Sequence, residues 1–115
     1  MVLSFICRVI SVEQILKCSF GLNKTELYIL KSLLETKEEK TIKEIREIVK
    51  KDRTTVQRAI KHLHEKDLIA RRQINLEKGG YVLIYSARSK KELKEKVFSI
   101  VESFKEMVGS EIQRW

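Results

Sequence analysis

Proline is missing from the 115 residues, glycine occurs four times, cysteine twice, and aromatic side chains make up only 7%. Without proline no helix is forced to kink, so long uninterrupted helices are open to this chain. The two cysteines, Cys7 and Cys18, form neither a CxxC pair nor a multi-bridge framework, which argues against a secreted disulfide scaffold. The longest apolar stretch, MVLSFICRVI, is broken by Arg8 and falls short of the ~20 apolar residues of a spanning helix. It also lacks the basic n-region and small-residue cleavage site of a signal peptide. No membrane partner is expected, and the cytoplasm is the default location. The one glycine pair, Gly79-Gly80, belongs to a turn rather than to a phosphate-cradling loop, and there is neither a nucleophile elbow nor an ordered acid pair. Neither catalysis nor a cofactor is expected.

What is present is charge and a core. Hydrophobic residues make up 43% of the chain and charged residues 35%. That content and length fit one domain over residues 1–115, able to bury roughly two thirds of its unfolded surface. The net charge of +8 is concentrated centrally: residues 41–88 carry twelve basic and six acidic groups, whereas 1–40 and 89–115 each carry six and five. A basic block between nearly neutral ends has the form of a footprint for a polyanion. A solvated lysine-rich surface would produce the same count.

Helix starts are marked by a small polar residue three positions before Glu or Gln, the capping box. Ser11 with Gln14 opens a short helix that buries Val12, Ile15 and Leu16 and closes at Gly21. Asn23 with Glu26 opens a second, with Leu27, Ile29, Leu30, Leu33 and Leu34 inward, and residues 36–40 form a loop. Thr41 with Glu44 opens a third, carrying Ile42, Ile45, Ile48 and Val49. Lys50, Lys51 and Asp52 make a tight connection to a fourth helix from Arg53 to about Lys66, the spacing of a helix-turn-helix. On that helix Val56, Ala59, Ile60 and Leu63 share one face, with Thr54, Arg58, Lys61 and Glu65 opposite and Thr55 and Gln57 on the flanks. Leu68 to Ile74 and Tyr81 to Ala87 then read as a hairpin, turned by Gly79 and Gly80. A last box, Ser89 with Glu92, starts a helix running to about Trp115. Leu93, Val97, Ile100, Phe104 and Met107 follow a 4, 3, 4, 3 spacing, and Val108, Ile112 and Trp115 continue it after a one-residue shift. At ~1.5 Å per residue this helix is nearly 40 Å long, more than so small a core needs, so part of its stripe is expected to meet another surface.

The fold expected is mainly α with a small β-hairpin (α+β): a winged helix-turn-helix over 23–88, preceded by an N-terminal apolar segment and helix (1–22) and followed by a long C-terminal dimerisation helix (89–115). The run GLNKTELYILKSLLE, then TIKEIREIVKKDRTTVQRAIKHLHEKDLIARRQ, then GGYVLIYSA, resembles the DNA-binding domain of archaeal transcriptional regulators of the TrmB-like and MarR-like type. The resemblance covers about residues 20–88 and implies this fold and double-stranded DNA binding. Full-length TrmB-type proteins continue into an effector-binding domain where this chain ends, so the resemblance does not imply sugar sensing. No residue marks a pocket for a small-molecule effector.

An α-helix fits the major groove, where its N-terminal residues meet base edges. On that ground Thr54, Thr55, Gln57 and Arg58 are the candidates for base contact: Gln reads adenine, Arg reads guanine and Thr meets the thymine methyl. Lys50, Lys51, Arg53 and Lys61 are candidates for phosphate contact, and Arg71, Arg72 and Lys78 for the wing. Leu93, Val97, Ile100, Phe104, Met107, Val108, Ile112 and Trp115 are candidates for a homodimer seam. His62 and His64 lie ~200° apart on a helix and do not easily share a metal, so no metal is expected. They flank the core face, and the cysteines pack as small apolar groups. Three functions share the basic block: a sequence-specific homodimeric regulator, an architectural protein coating DNA without sequence preference, and a winged-helix module that docks protein partners.

Overall fold

The computed structural model describes residues 4–5 and 8–115, with side-chain surroundings from Ile10 onward; Cys7 and the first three residues of the N-terminal apolar segment lie outside them. Three predicted capping boxes form in full. Ser11 with Gln14, Asn23 with Glu26 and Thr41 with Glu44 start helices α1 (Val12–Phe20), α2 (Lys24–Thr36) and α3 (Ile42–Val49). In each, the cap side chain accepts from the backbone N–H three residues on, and the Glu or Gln side chain accepts from the cap's own N–H. Asp52 caps α4 (Arg53–Glu65). The fourth box is half-made: Ser89 caps α5 (Lys90–Arg114) through the Glu92 N–H at 3.1 Å, while the Glu92 carboxylate turns toward Arg88 instead. Gly21 closes α1 in the left-handed conformation, φ +63, as its permissive backbone allows.

Helices α2, α3 and α4 pack around Ile29, Leu30, Leu33, Ile45, Val56, Ile60 and Leu63, and the chain leaving α4 adds Leu68 and Ile69. Each such side chain contributes ~1.5–3 kcal/mol on burial, which holds the helix-turn-helix rigid. Two inward assignments change. Val12 is 71% exposed, because the first residue of α1 lies beyond the reach of the core, which Phe20 and Leu22 meet instead. Of the α3 stripe only Ile45 is fully buried; Ile42, Ile48 and Val49 are half-buried at its margins.

The hairpin pairs β4 (Ile69–Asn75) with β5 (Tyr81–Ala87), antiparallel from Ile69 opposite Ala87 to Asn75 opposite Tyr81. Gly79 and Gly80 supply the positive φ of its turn, +90 and +79. A third strand, β3 (Lys40–Thr41), pairs with β5 and makes the sheet order β3-β5-β4. The expected 36–40 loop therefore ends in a strand. Two residues carry no readable period, and their partners Tyr85 and Ile84 are far along the chain. At the N-terminus β1 (Ser4–Phe5) and β2 (Arg8–Val9) form a two-residue antiparallel pair that the sequence did not suggest. Two helices, the α3–α4 helix-turn-helix, a hairpin wing and a long closing helix make a winged helix.

Leu93 is buried in the core and Val97 packs half-buried against it. Every later residue of α5 is exposed. The helix projects away from the lobe, and the molecule measures 64 × 25 × 23 Å.

Candidate nucleic-acid interface

A groove of about 980 Å³ opens between the start of α3, one face of α4 and the wing. Its geometry follows from two periodicities. On α4, Arg53, Gln57, Lys61 and His64 recur at spacings of four, four and three and so form one stripe along the helix. On the wing, adjacent residues project to opposite faces, so only one of Arg71 and Arg72 can enter. Arg71, opposite Tyr85, lines the groove.

Arg72 leaves for the other face. Its Nε and Nη2 donate to the two Glu39 oxygens at 3.1 and 2.8 Å, a two-pronged pair between β4 and the segment before β3. The Glu39 carboxylate raises the Arg72 guanidinium above its ordinary range and is itself lowered, in each case chiefly through this hydrogen bond. As a wing contact to DNA, Arg72 is thus already occupied within the chain.

Of the predicted site residues, Arg53, Gln57, Lys61 and Arg71 come together in the groove. Thr54 and Arg58 are exposed on α4 outside it, Lys50 and Lys51 are exposed at the turn, and Lys78 is exposed on the wing loop. Thr55 is corrected. It is half-buried, its N–H donates to Asp52 at 3.3 Å, and its hydroxyl donates to the same carboxylate in a short contact. Those bonds hold Asp52 below its ordinary range, the Thr55 hydroxyl contributing most. Thr55 therefore completes the helix cap, and a base would have to displace Asp52 to use its hydroxyl. Leu93 is corrected likewise, since the chain's own core covers it.

Sequence reasoning missed Lys43, Arg46, His64 and Tyr81 as groove residues. Lys43 and Arg46 lie three apart on α3, a spacing that places both on one face, but nothing local says that this face meets α4 and the wing. With them the groove carries Lys43, Arg46, Arg53, Lys61 and Arg71 against the single carboxylate of Glu65. None of these five cations is engaged in an ion pair among the described residues. A concave wall of free cations beside an exposed helix raises the local potential for an anion and leaves donors aimed outward.

Behind α4, the buried Glu26 holds the helix from the side away from the groove. Its Oε1 accepts from the Asn23 N–H at 2.9 Å, and its Oε2 meets His62 Nδ1 at 2.5 Å. His62 and His64 thus divide, one to this internal pair and the other to the groove. The long apolar stripe of α5 remains uncovered: Ile100, Phe104, Met107, Val108, Ile112 and Trp115 are 37–100% exposed, as are Phe98 and Val101 beside them.

The model of the family described as sugar-specific transcriptional regulator TrmB matches residues 16–102. Two uncharacterized proteins of Methanocaldococcus jannaschii are similar in sequence. One is 30% identical over 98 residues, 85% of this chain and 74% of its own length; the other is 33% identical over 105 residues, 91% and 82%. Among solved structures, a Methanosarcina mazei protein described as a possible transcriptional regulator is 35% identical, with a TM-score of 0.88 over 100% of this chain and 97% of that one. A protein of Sulfolobus tokodaii, 19% identical and covering 84% and 93%, shares the fold with a TM-score of 0.70. No helix among the described residues is long and apolar enough to cross a membrane.

Proposed function

The chain belongs to the TrmB family of transcriptional regulators, and from that premise we propose that it is a sequence-specific, homodimeric regulator that binds double-stranded DNA in the cytoplasm. The observation that carries this reading is the groove, where Gln57 stands beside the exposed face of α4 among five cations that have no ion-pair partner among the described residues. Cations set against the phosphate backbone recognise charge and not sequence. A carboxamide in the same stripe adds a group that can bond adenine through two atoms, and Arg58 and Thr54 on the outer face add further base-reading chemistry. Lys50, Lys51, Arg53 and Lys61 follow phosphates, and Lys43, Arg46, Arg71 and Lys78 extend that track to α3 and the wing.

Dimerisation is inferred from α5. Its exposed apolar stripe from Ile100 to Trp115 is the kind of surface a second copy covers, giving an isologous contact with two-fold symmetry. Two α4 helices would then enter successive major grooves ~34–36 Å apart on a pseudo-palindromic site. Sugar sensing is not part of the proposal.

Selection of bound duplexes from a random pool tests both halves. A two-fold consensus is expected, with Gln57→Ala or Arg58→Ala costing roughly 1–3 kcal/mol at one position of each half-site. Enrichment of no sequence would replace this reading with architectural coating, and failure to bind any duplex at low salt would leave a protein-docking module.

A further inference from the structure

We infer that Asp67 is a positioning residue that sets the angle between the recognition helix α4 and the dimer helix α5, and hence the half-site spacing the protein accepts. The inference rests on the dimeric, DNA-binding reading above.

Asp67 occupies the left-handed position just after α4, at φ +58. The backbone there is a Schellman motif: the Asp67 N–H donates to His64 O and the Leu68 N–H to Leu63 O, both at 3.0 Å. Glycine takes this conformation with least strain, whereas an aspartate tolerates it at some cost. Here the side chain has a use. Oδ1 accepts from Arg88 Nη2 at 2.7 Å, and Oδ2 accepts from Lys96 Nζ at 3.1 Å. Arg88 sits at the junction of β5 and α5, and its N–H donates to Leu68 O at 3.0 Å. Lys96 lies in the second turn of α5. One carboxylate thus ties the end of α4 to two points along the base of the dimer helix. The two cations hold Asp67 below its ordinary range, Arg88 contributing more than Lys96.

The rest of the attachment of α5 is apolar, through Leu93 and Val97. Apolar burial is non-directional and lets a helix pivot, while paired hydrogen bonds fix a direction. The lever beyond them is long. At ~1.5 Å per residue Trp115 lies ~29 Å past Lys96, so a tilt of ~10° at the base displaces the far end by ~5 Å. Seen from a fixed dimer seam, the winged lobes shift by a comparable distance, on the order of one ~3.4 Å base-pair step. An ion pair this exposed adds little to stability, so its effect is expected in geometry instead.

The test uses the full chain and a set of duplexes carrying two half-sites at stepped spacings, with sedimentation run in parallel. Asp67→Asn keeps a side chain that accepts the left-handed backbone but removes the charge, and Lys96→Met removes one arm while leaving the turn intact. Wild type is expected to show a sharp spacing optimum. Both variants are expected to remain dimers, to bind an isolated half-site as wild type does, to lose affinity at the optimum on the order of tenfold, and to accept spacings one base pair to either side. Variants that keep the sharp optimum would overturn the inference. A monomeric wild type, or one with no preferred spacing, would refute the dimeric reading itself and the inference with it.

Discussion

Replacing Glu26 tests how far the recognition helix depends on a bond made behind it. Glu26 is 5% exposed and serves two partners, the Asn23 N–H and His62 Nδ1. In Glu26→Ala the capping bond costs about 1 kcal/mol and the lost buried bond to His62 about 1–3 kcal/mol, with His62 left half-buried and unanswered. Against that stands the relief of a buried carboxylate, which would dominate if an apolar side chain filled the site. Alanine does not fill it, so a net loss of about 3 kcal/mol is expected. Glutamine keeps the capping bond through Oε1 and can turn its amide N–H toward a His62 Nδ1 lone pair, so Glu26→Gln is expected to lose about 1 kcal/mol. Urea unfolding followed by far-UV circular dichroism, at one fixed protein concentration, measures the difference. With a slope of roughly 2 kcal/mol per molar urea, the alanine midpoint falls by about 1.5 M at constant slope. An alanine variant within 1 kcal/mol of wild type, or a glutamine variant as damaged as the alanine one, would refute the reasoning.

Other outcomes follow from the same geometry. Phe104→Glu places a carboxylate on the exposed stripe of α5 and should weaken self-association by roughly a hundredfold or more without altering the helical signal, as sedimentation and circular dichroism would show. A dimer that persists would remove α5 from the interface. Glu39→Gln releases Arg72 toward a passing phosphate, and one added contact steepens the salt dependence of DNA binding by ~0.9 in log–log slope. An unchanged slope would mean that Arg72 stays off the DNA. Glu39, Glu44, Asp52 and Asp67 all titrate below their ordinary values in the folded chain. The unfolded chain therefore binds protons first: the stabilisation is present above the ordinary 4.5 of Glu and 3.8 of Asp and is lost as pH falls through the lowered folded values. From neutrality downward, thermal unfolding at stepped pH should hold until that acid range and decline within it, and a decline beginning near neutrality would contradict it.

How much of this was legible depended on reach along the chain. Ser11 with Gln14, Asn23 with Glu26 and Thr41 with Glu44 act across three residues, and each started the helix expected of it. The hairpin around Gly79 and Gly80 and the stripe of α4 were equally local. Contacts between distant residues were not. Glu39 meets Arg72 and Glu26 meets His62 more than thirty residues apart, and β3 is a strand only because β5 lies beside it. The sequence also mistook Thr55 for a free reader, since the Asp52 cap takes its hydroxyl.

By itself, the order of residues determined the helices, the hairpin, the central basic block and the unbroken closing helix, because hydrogen bonds within a few residues and the periods of helix and strand set them. Only the tertiary structure decided which of two neighbouring arginines enters the groove, that Lys43 and Arg46 join it, and that Leu93 anchors α5 while Ile100 and the residues after it stay uncovered. Those outcomes turn on which faces pack together. No single element carries that information, because burial belongs to a pair of surfaces.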